Sequence, residues 1–479
     1  MSLGGAIRNR RLWVGALVLG LAALAAWLVA APSAALVPAK VAQTERLPAP
    51  GGSWTPKRTS RDLLRPASHL SVSEQLEFYT GMTLFRAPWV AAPSSTRARD
   101  GLGPLFNSRS CLGCHPGGGR GESLLTAPES LATVARISRH GAPHPEWGNQ
   151  VQPFATFRGA DGGADDAARP GRGAAGFGEG RLALDGSPQA AYVRGPRADR
   201  RQQRLLQRPK AQILDAAGQP VALHPDDRVS VRAAPALFGM GLLEELDEAA
   251  ILAGADPGDE NGDGVSGRPH WLGAGRLGRF GWKATRVSVT EQTAAALSED
   301  IGITTSWFPE ASCAPGQIAC QQQPNGGNSL GAPEIPDDLL ATMVSFVRHI
   351  PPPLAGRDTA AVRRGEQRFA EAGCAACHTP SFESTAGTIW PYSDLLLHDM
   401  GPDLADGRRD GDASGREWRT PPLWGLGTQS GKGLLHDARA RNLTEAVLWH
   451  GGEASASRER FSALAPAARQ DLLRFVRAL

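Results

Sequence analysis

Two copies of one pentapeptide constrain this chain more than any other feature. Cys111-Leu112-Gly113-Cys114-His115 and Cys374-Ala375-Ala376-Cys377-His378 both have the spacing CxxCH. Two thiols one helical turn apart can add to the two vinyl groups of a haem, and the adjacent His then lies under the iron as proximal ligand. A four-Cys zinc site or two redox-active CxxC pairs would use the same cysteine spacing, but neither requires His after both pairs. The other two cysteines, Cys313 and Cys320, enclose six residues including Pro315 and Gly316 and read as a small loop-closing disulfide.

The N-terminus sets the expected compartment. Arg8, Arg10 and Arg11 precede an apolar run from Leu12 to Ala31, long enough for a bilayer-spanning helix with its positive flank in the cytoplasm. Ser33-Ala34-Ala35 offers a small-residue cleavage site, so residues 1–35 read either as a membrane anchor or as a signal segment. Both readings export the rest of the chain to a bacterial periplasm. Thioether formation suits that oxidising space, where free thiols would tend to pair.

Residues 36–70, rich in Pro, Ala, Ser and Arg, read as a tether. Ser71-Val72-Ser73-Glu74 resembles a capping box, with Leu76, Tyr79, Met82 and Phe85 following at roughly helical spacing. An N-terminal haem domain with insertions is expected over 71–350 and a C-terminal cytochrome c-like haem domain over 359–479. The break between them falls at Ile350-Pro351-Pro352-Pro353-Leu354. The 57 Gly and 37 Pro imply long irregular connections, and the stretch from Arg158 to Arg181 reads as a mobile surface loop. The expected fold is therefore mainly α: two cytochrome c-like haem domains with long loops, preceded by a hydrophobic helix. With 51 basic against 48 acidic residues, there is no electrostatic footprint for nucleic acid.

A sixth iron ligand can come from almost any distance along the chain, and His398, Met400, His436 and His450 follow the second motif. His450 ends the apolar stretch Leu443–Trp449 and precedes Gly451-Gly452, a setting that suits a helix cap equally well. Asp259, Asn261 and Asp263, with the Val265 carbonyl and Gly264, have the spacing of a calcium loop. The twelfth position holds His270 rather than a bidentate Glu, so a calcium site completed by Asp256 and a solvated Asp/Gly turn both remain open.

The stretch from Gly373 to Glu453, with CAACHTP, LLLHDMGPDLADG, EWRTPPLWGLG and LLHDARARNLTEAVLWHGGEA, resembles the di-haem oxidoreductase family of thiol oxidoreductases or peroxidases. The resemblance continues upstream through LGPLFNSRSCLGCH, RAAPALFGMGLLEEL, ADPGDENGDGVSGRP, LGRFGWKA and DIGITTSWFP, covering about Ser73 to Leu479. More distantly the pattern is similar to bacterial di-haem cytochrome c peroxidases and MauG. That resemblance implies two covalent haem c groups, with peroxide reacting at the haem on Cys111, Cys114 and His115 and the haem on Cys374, Cys377 and His378 transferring electrons.

Carried over by residue, His436-Asp437 matches a turn near the second haem. His450 falls where the wider family usually has Met, which implies a lower potential than His/Met ligation. Phe280-Gly281-Trp282-Lys283-Ala284 matches a segment placing a Trp between the haems, so Trp282 is the implied relay. Gln292 matches a distal polar group, and Asp300 lies near the catalytic Glu across a short gap. His224 matches a distal His of resting peroxidases, with His140 and His144 as competitors. The implied partners are a small redox protein or other electron donor, peroxide or another small substrate, and the membrane. A pure electron carrier, and an oxygenase or cofactor-modifying enzyme, use the same scaffold.

Overall fold

The computed structural model describes residues 46–479 except 57–62, 97–98, 126, 129, 157–180, 195–200, 216–217, 324–326 and 328–331, with backbone alone for 181–205 and 207. The expected apolar helix and most of the 158–181 loop lie outside the described residues. Among the described residues, no helix is long and apolar enough to cross a membrane.

The segment expected as a tether is packed at four described residues: Trp54, Leu64, Ala67 and Leu70 are all buried in the largest core. Their spacing follows no α-helical or strand period, because one 3-10 turn, Gly52–Trp54, and irregular chain carry them, and so they do not stand out against the Pro- and Ala-rich background.

Helix α1, Val72–Arg86, begins at the capping box: Ser71 Oγ accepts from Glu74 N, and Glu74 Oε2 accepts from Ser71 N at 2.7 Å. Its buried face is Phe78, Gly81, Leu84 and Phe85, whereas Leu76 and Tyr79 are exposed at 70% and 45%. The four-residue helix α2, Cys111–Cys114, is capped by Ser110, whose side chain accepts from Gly113 N.

Strand β1, Thr133–Arg139, leads through a long antiparallel hairpin, β2 Arg181–Arg194 with β3 Arg201–Leu214, to β4, Asp227–Ala233. Strand β4 pairs antiparallel with β1 from Thr133↔Ala233 to Arg139↔Asp227. The hairpin is an addition to the mainly α fold that was expected. Its Leu206 packs with Leu404, Ala440 and Trp449 of the C-terminal region.

Helix α3, Val289–Ala296, runs into a π-helical turn, Leu297–Ile301. Helix α4, Asp337–Arg348, buries Leu340, Met343, Val344 and Val347 at helical spacing and sets Phe346 between two rings of α1. The centroids lie 4.8 Å from Phe78 and 5.1 Å from Phe85. Gly81 permits that approach, since a Cβ there would lie 2.5 Å from the Thr342 carbonyl oxygen.

The second core is built by α5, Ala360–Glu371, against α7, Pro466–Ala478, with Phe369 and Phe475 edge to face at 5.4 Å. Gly365 lets these two helices cross, because a Cβ would meet the Asp471 carbonyl oxygen at 2.1 Å. Between them come the paired strands β5, Leu397–Asp399, and β6, Glu417–Arg419, followed by helix α6, Leu443–Trp449. Residues 45–479 form one compact unit. The proline segment is buried inside it, with Ile350 accepting a backbone bond from Gly239 N at 2.8 Å.

Phe346→Ala should cost about 3–5 kcal/mol, because it empties the centre of the α1–α4 contact. A melting temperature unchanged from wild type would refute that account of the packing.

Candidate functional site

Both CxxCH segments open onto one continuous cavity of about 780 Å³, whose wall includes Cys111, Cys114 and His115 as well as Cys374, Cys377 and His378. All four cysteines are free thiols, whereas Cys313 and Cys320 are joined in the expected disulfide. The cavity thus presents two dithiols, each followed by an imidazole.

The two motif histidines share one geometry. His115 Nδ1 lies 2.8 Å from the Pro235 carbonyl oxygen, and His378 Nδ1 lies 2.9 Å from that of Tyr392. A carbonyl can only accept, so Nδ1 carries the proton and Nε2 keeps its lone pair. Burial pushes both imidazoles down to about 4, which holds them neutral at ordinary pH. A neutral ring oriented through Nδ1–H is the donor that a haem iron takes. The residues present therefore fit two haem groups.

The four candidates after the second motif all line the cavity but are not equivalent. His450 repeats the motif geometry, with Nδ1 2.7 Å from the Ala446 carbonyl oxygen and burial lowering its pKa. Met400 shares the wall and packs with the Leu404 and Trp449 cluster. His436, held neutral by burial at about 4, stacks on Trp418 at 3.7 Å and 12°.

His398 is spoken for at both nitrogens, Nδ1 by Glu453 at 2.7 Å and Nε2 by Asp394 at 2.8 Å. Hydrogen bonds to these carboxylates raise its pKa well above the usual value despite burial, and an imidazolium has no lone pair for a metal. The candidates proposed for the first motif fall elsewhere. His140 and His224 are exposed beside Asp226, His144 is stacked on Trp147 beside Asp227, and none of the three lines the cavity.

Trp282, Gln292 and Asp300 are brought together on the wall. Trp282 Nε1 donates to the Ala233 carbonyl at 2.9 Å, and its ring meets His436 edge to face at 6.5 Å. Asp300 sits in the π-helical turn, and its backbone carbonyl accepts from Asn107 N and Ser108 N, just before the first motif. Gln150 donates to Asp300 Oδ1 at 2.7 Å. Burial, supplemented by the charge of Glu299, nevertheless pushes the Asp300 carboxyl up to about 6. Its neighbour Glu299 pairs with Arg136 and Arg286 and is shifted downward by those charges, in spite of burial. Sequence reasoning missed Glu299, Gln150 and Arg136. The adjacent acids Glu299-Asp300 were a visible signal, but their partners are 149 to 163 residues away.

The calcium-like loop is exposed and folded on itself. Asp259, Asn261 and Asp263 accept from Gly264 N, Asp263 N and Val265 N at 2.8–3.0 Å, and Asp256 accepts from Glu260 N and Asn261 N. His270 lies apart from it, 2% exposed, with Nδ1 2.7 Å from the Lys283 carbonyl oxygen. Among the described residues, the one set of three His, Cys, Asp or Glu donors within 4.8 Å of one another is Cys377, Asp394 and His398.

Residues 218–479, more than half of the chain, match the family model described as "Di-haem oxidoreductase, putative peroxidase". The chain belongs to this di-haem oxidoreductase family. No curated protein matches it. Among solved structures it is similar to a hydrazine synthase chain of Kuenenia stuttgartiensis, pressurised with xenon, at 19% identity and a TM-score of 0.23. That alignment covers 31% of this chain and 57% of the synthase chain.

Glu453 tests the His398 cluster. Hydrogen bonds from His398 and Asp399 N hold its carboxyl at about 2 against burial, so the stability it contributes is present above about pH 4.5 and is lost as pH falls toward 2. Glu453→Gln should therefore lower stability by about 2–3 kcal/mol near neutrality. The difference from wild type should shrink as pH falls through about 4.5 and close only near pH 2. A pH-independent difference in denaturant midpoints would refute this.

Proposed function

We propose that this protein is an exported di-haem c-type oxidoreductase that reduces peroxide. Cys111 with Cys114 and Cys374 with Cys377 would hold the haems through thioether bonds, and His115 and His378 would bind the irons through Nε2. His450 is the proposed sixth ligand at the second site, since it alone of the four nearby candidates repeats the oriented neutral-imidazole geometry. Bound haem iron supplies the one-electron redox chemistry. The residues Leu12–Ala31 are proposed as the membrane anchor or signal segment, and a small redox protein as the electron donor.

The observation that carries the peroxidase reading is Asp300. Its charge bears on both Cys111 and Cys114, it lines the cavity, and its carboxyl titrates near 6. Cleaving the O–O bond of hydrogen peroxide consumes two electrons and two protons and yields two waters. A carboxylate there can take the proton from the near oxygen and return it to the leaving one, with Gln150 fixing its orientation.

Trp282 is the better electron relay of the two indoles beside His436. Trp418 lies under two cations, Lys283 at 4.6 Å and Arg232 at 5.6 Å, which oppose a positive charge on its ring, whereas Trp282 faces Arg120 at 5.3 Å.

Two measurements test this function. A pyridine haemochrome assay should give two covalent haems per chain, and one or none refutes the reading. Peroxide turnover should rise as pH passes about 6, because the deprotonated Asp300 is the active form. Asp300→Asn should cut the rate by about 100-fold or more with both haems retained. Two six-coordinate low-spin haems in every redox state, with no peroxide reaction, would make the protein an electron carrier instead.

At the second site, His450→Met should keep the iron low-spin and raise its potential. An unchanged spectrum and potential would show that His450 is not the ligand.

A further inference from the structure

Part of the cavity wall, together with side chains packed behind it, carries more buried positive charge than its acids balance. Arg136 and Arg286 share Glu299, Arg232 bridges Asp406 and Asp410, Arg408 contacts Asp410, and Lys283 Nζ donates to Asp406 at 3.0 Å. Five cations thus meet three carboxylates, and counting Asp300 as ionised still leaves a surplus. Burial and repulsion from Arg136 and Arg232 push Arg408 down to about 9. Arg232 is pushed to about 10 by burial, with Arg136 adding to the effect.

A second observation is independent of the charge count. The Nε atoms of Arg136, Arg286 and Arg408 are buried without a hydrogen-bond partner, and all three residues line the cavity. Arg408 is 5% exposed. A guanidinium Nε–H can only donate, and each such donor left unmet costs about 1–3 kcal/mol. A wall that combines surplus charge with unmet donors is matched by a planar oxyanion, which accepts from guanidinium groups at two oxygens.

We propose that Arg136, Arg286 and Arg408 form a carboxylate-binding site on this wall. The propionate of a haem held in the cavity and a free small carboxylate supply the same chemistry. Only the first source rests on the di-haem reading.

The test compares wild type, Arg408→Gln, Arg408→Lys and Arg286→Gln as full-length haem-bearing proteins. It reads haem midpoint potentials, acetate difference spectra and melting temperatures in acetate. If a haem propionate occupies the site, Arg408→Gln shifts one haem's one-electron equilibrium about threefold to tenfold toward the ferric form, as loss of one screened buried cation should. Arg408→Lys then restores most of the shift, and acetate leaves the wild type unchanged.

If a free carboxylate occupies it, acetate saturably perturbs the wild-type spectrum and raises its melting temperature, and Arg408→Gln abolishes both effects. The less buried Arg286→Gln gives the same pattern should Arg408→Gln fail to fold. Potentials and acetate responses identical across all variants overturn the site. A preparation without covalent haem refutes the di-haem reading instead, and the acetate melting series alone then decides the carboxylate site.

Discussion

The hydrogen bonds from His115 Nδ1 to the Pro235 carbonyl and from His378 Nδ1 to the Tyr392 carbonyl are the interactions on which the cavity depends. Each fixes the tautomer and aims the remaining lone pair, and each needs an acceptor that the motif itself does not contain. For the first motif that acceptor lies 120 residues downstream, two residues beyond the end of the strand that pairs with Thr133–Arg139. The β1/β4 pair is therefore part of the site: its register delivers the Pro235 carbonyl to the imidazole, and its Ala233 carbonyl anchors the Trp282 indole. A CxxCH peptide without this framework would keep its sulfur spacing and lose its ring orientation.

Opposite electrostatic outcomes for two adjacent acids show how the same framework sets proton chemistry. Glu299 and Asp300 differ by one position in the π-helical turn, yet one meets two arginines and the other meets a neutral amide. Guanidinium charge outweighs desolvation for Glu299, whereas an amide hydrogen bond does not outweigh it for Asp300. A carboxyl that titrates near 6 beside one that stays ionised is an arrangement suited to proton transfer near neutral pH. The extra residue of the π-turn sits where the chain has to present both side chains to different partners.

What could be read from the sequence was what local chemistry encodes. Ser71 and Glu74 form the capping box, Cys313 and Cys320 the disulfide, and His450 the end of helix α6, because each depends on residues within about a turn or a short loop. Trp282, Gln292, Asp300 and His436, which family resemblance singles out, all line the cavity. What could not be read depends on distant partners. His398 is one of four candidate ligands by position, and only the fold shows that Asp394 and Glu453 occupy both of its nitrogens, the latter from 55 residues away. The exposure of Leu76 and Tyr79 reflects which face of α1 meets α4, a tertiary choice that helical spacing does not make.

The proline run shows the same limit in a different form. Ile350-Pro351-Pro352-Pro353 stops helix α4 because proline cannot continue a helix, and that property marks it as a break in the sequence. The three prolines also lack N–H groups, so burying them leaves no donors to satisfy, and the segment can pass through the interior with only its carbonyls to account for. Ile350 is fully buried and its carbonyl accepts from Gly239 N. A composition that signals a linker thus also suits an interior crossing. With the crossing packed from both sides, the relative placement of the two CxxCH segments is set by core contacts rather than by a flexible connection, as a cavity walled by both segments requires.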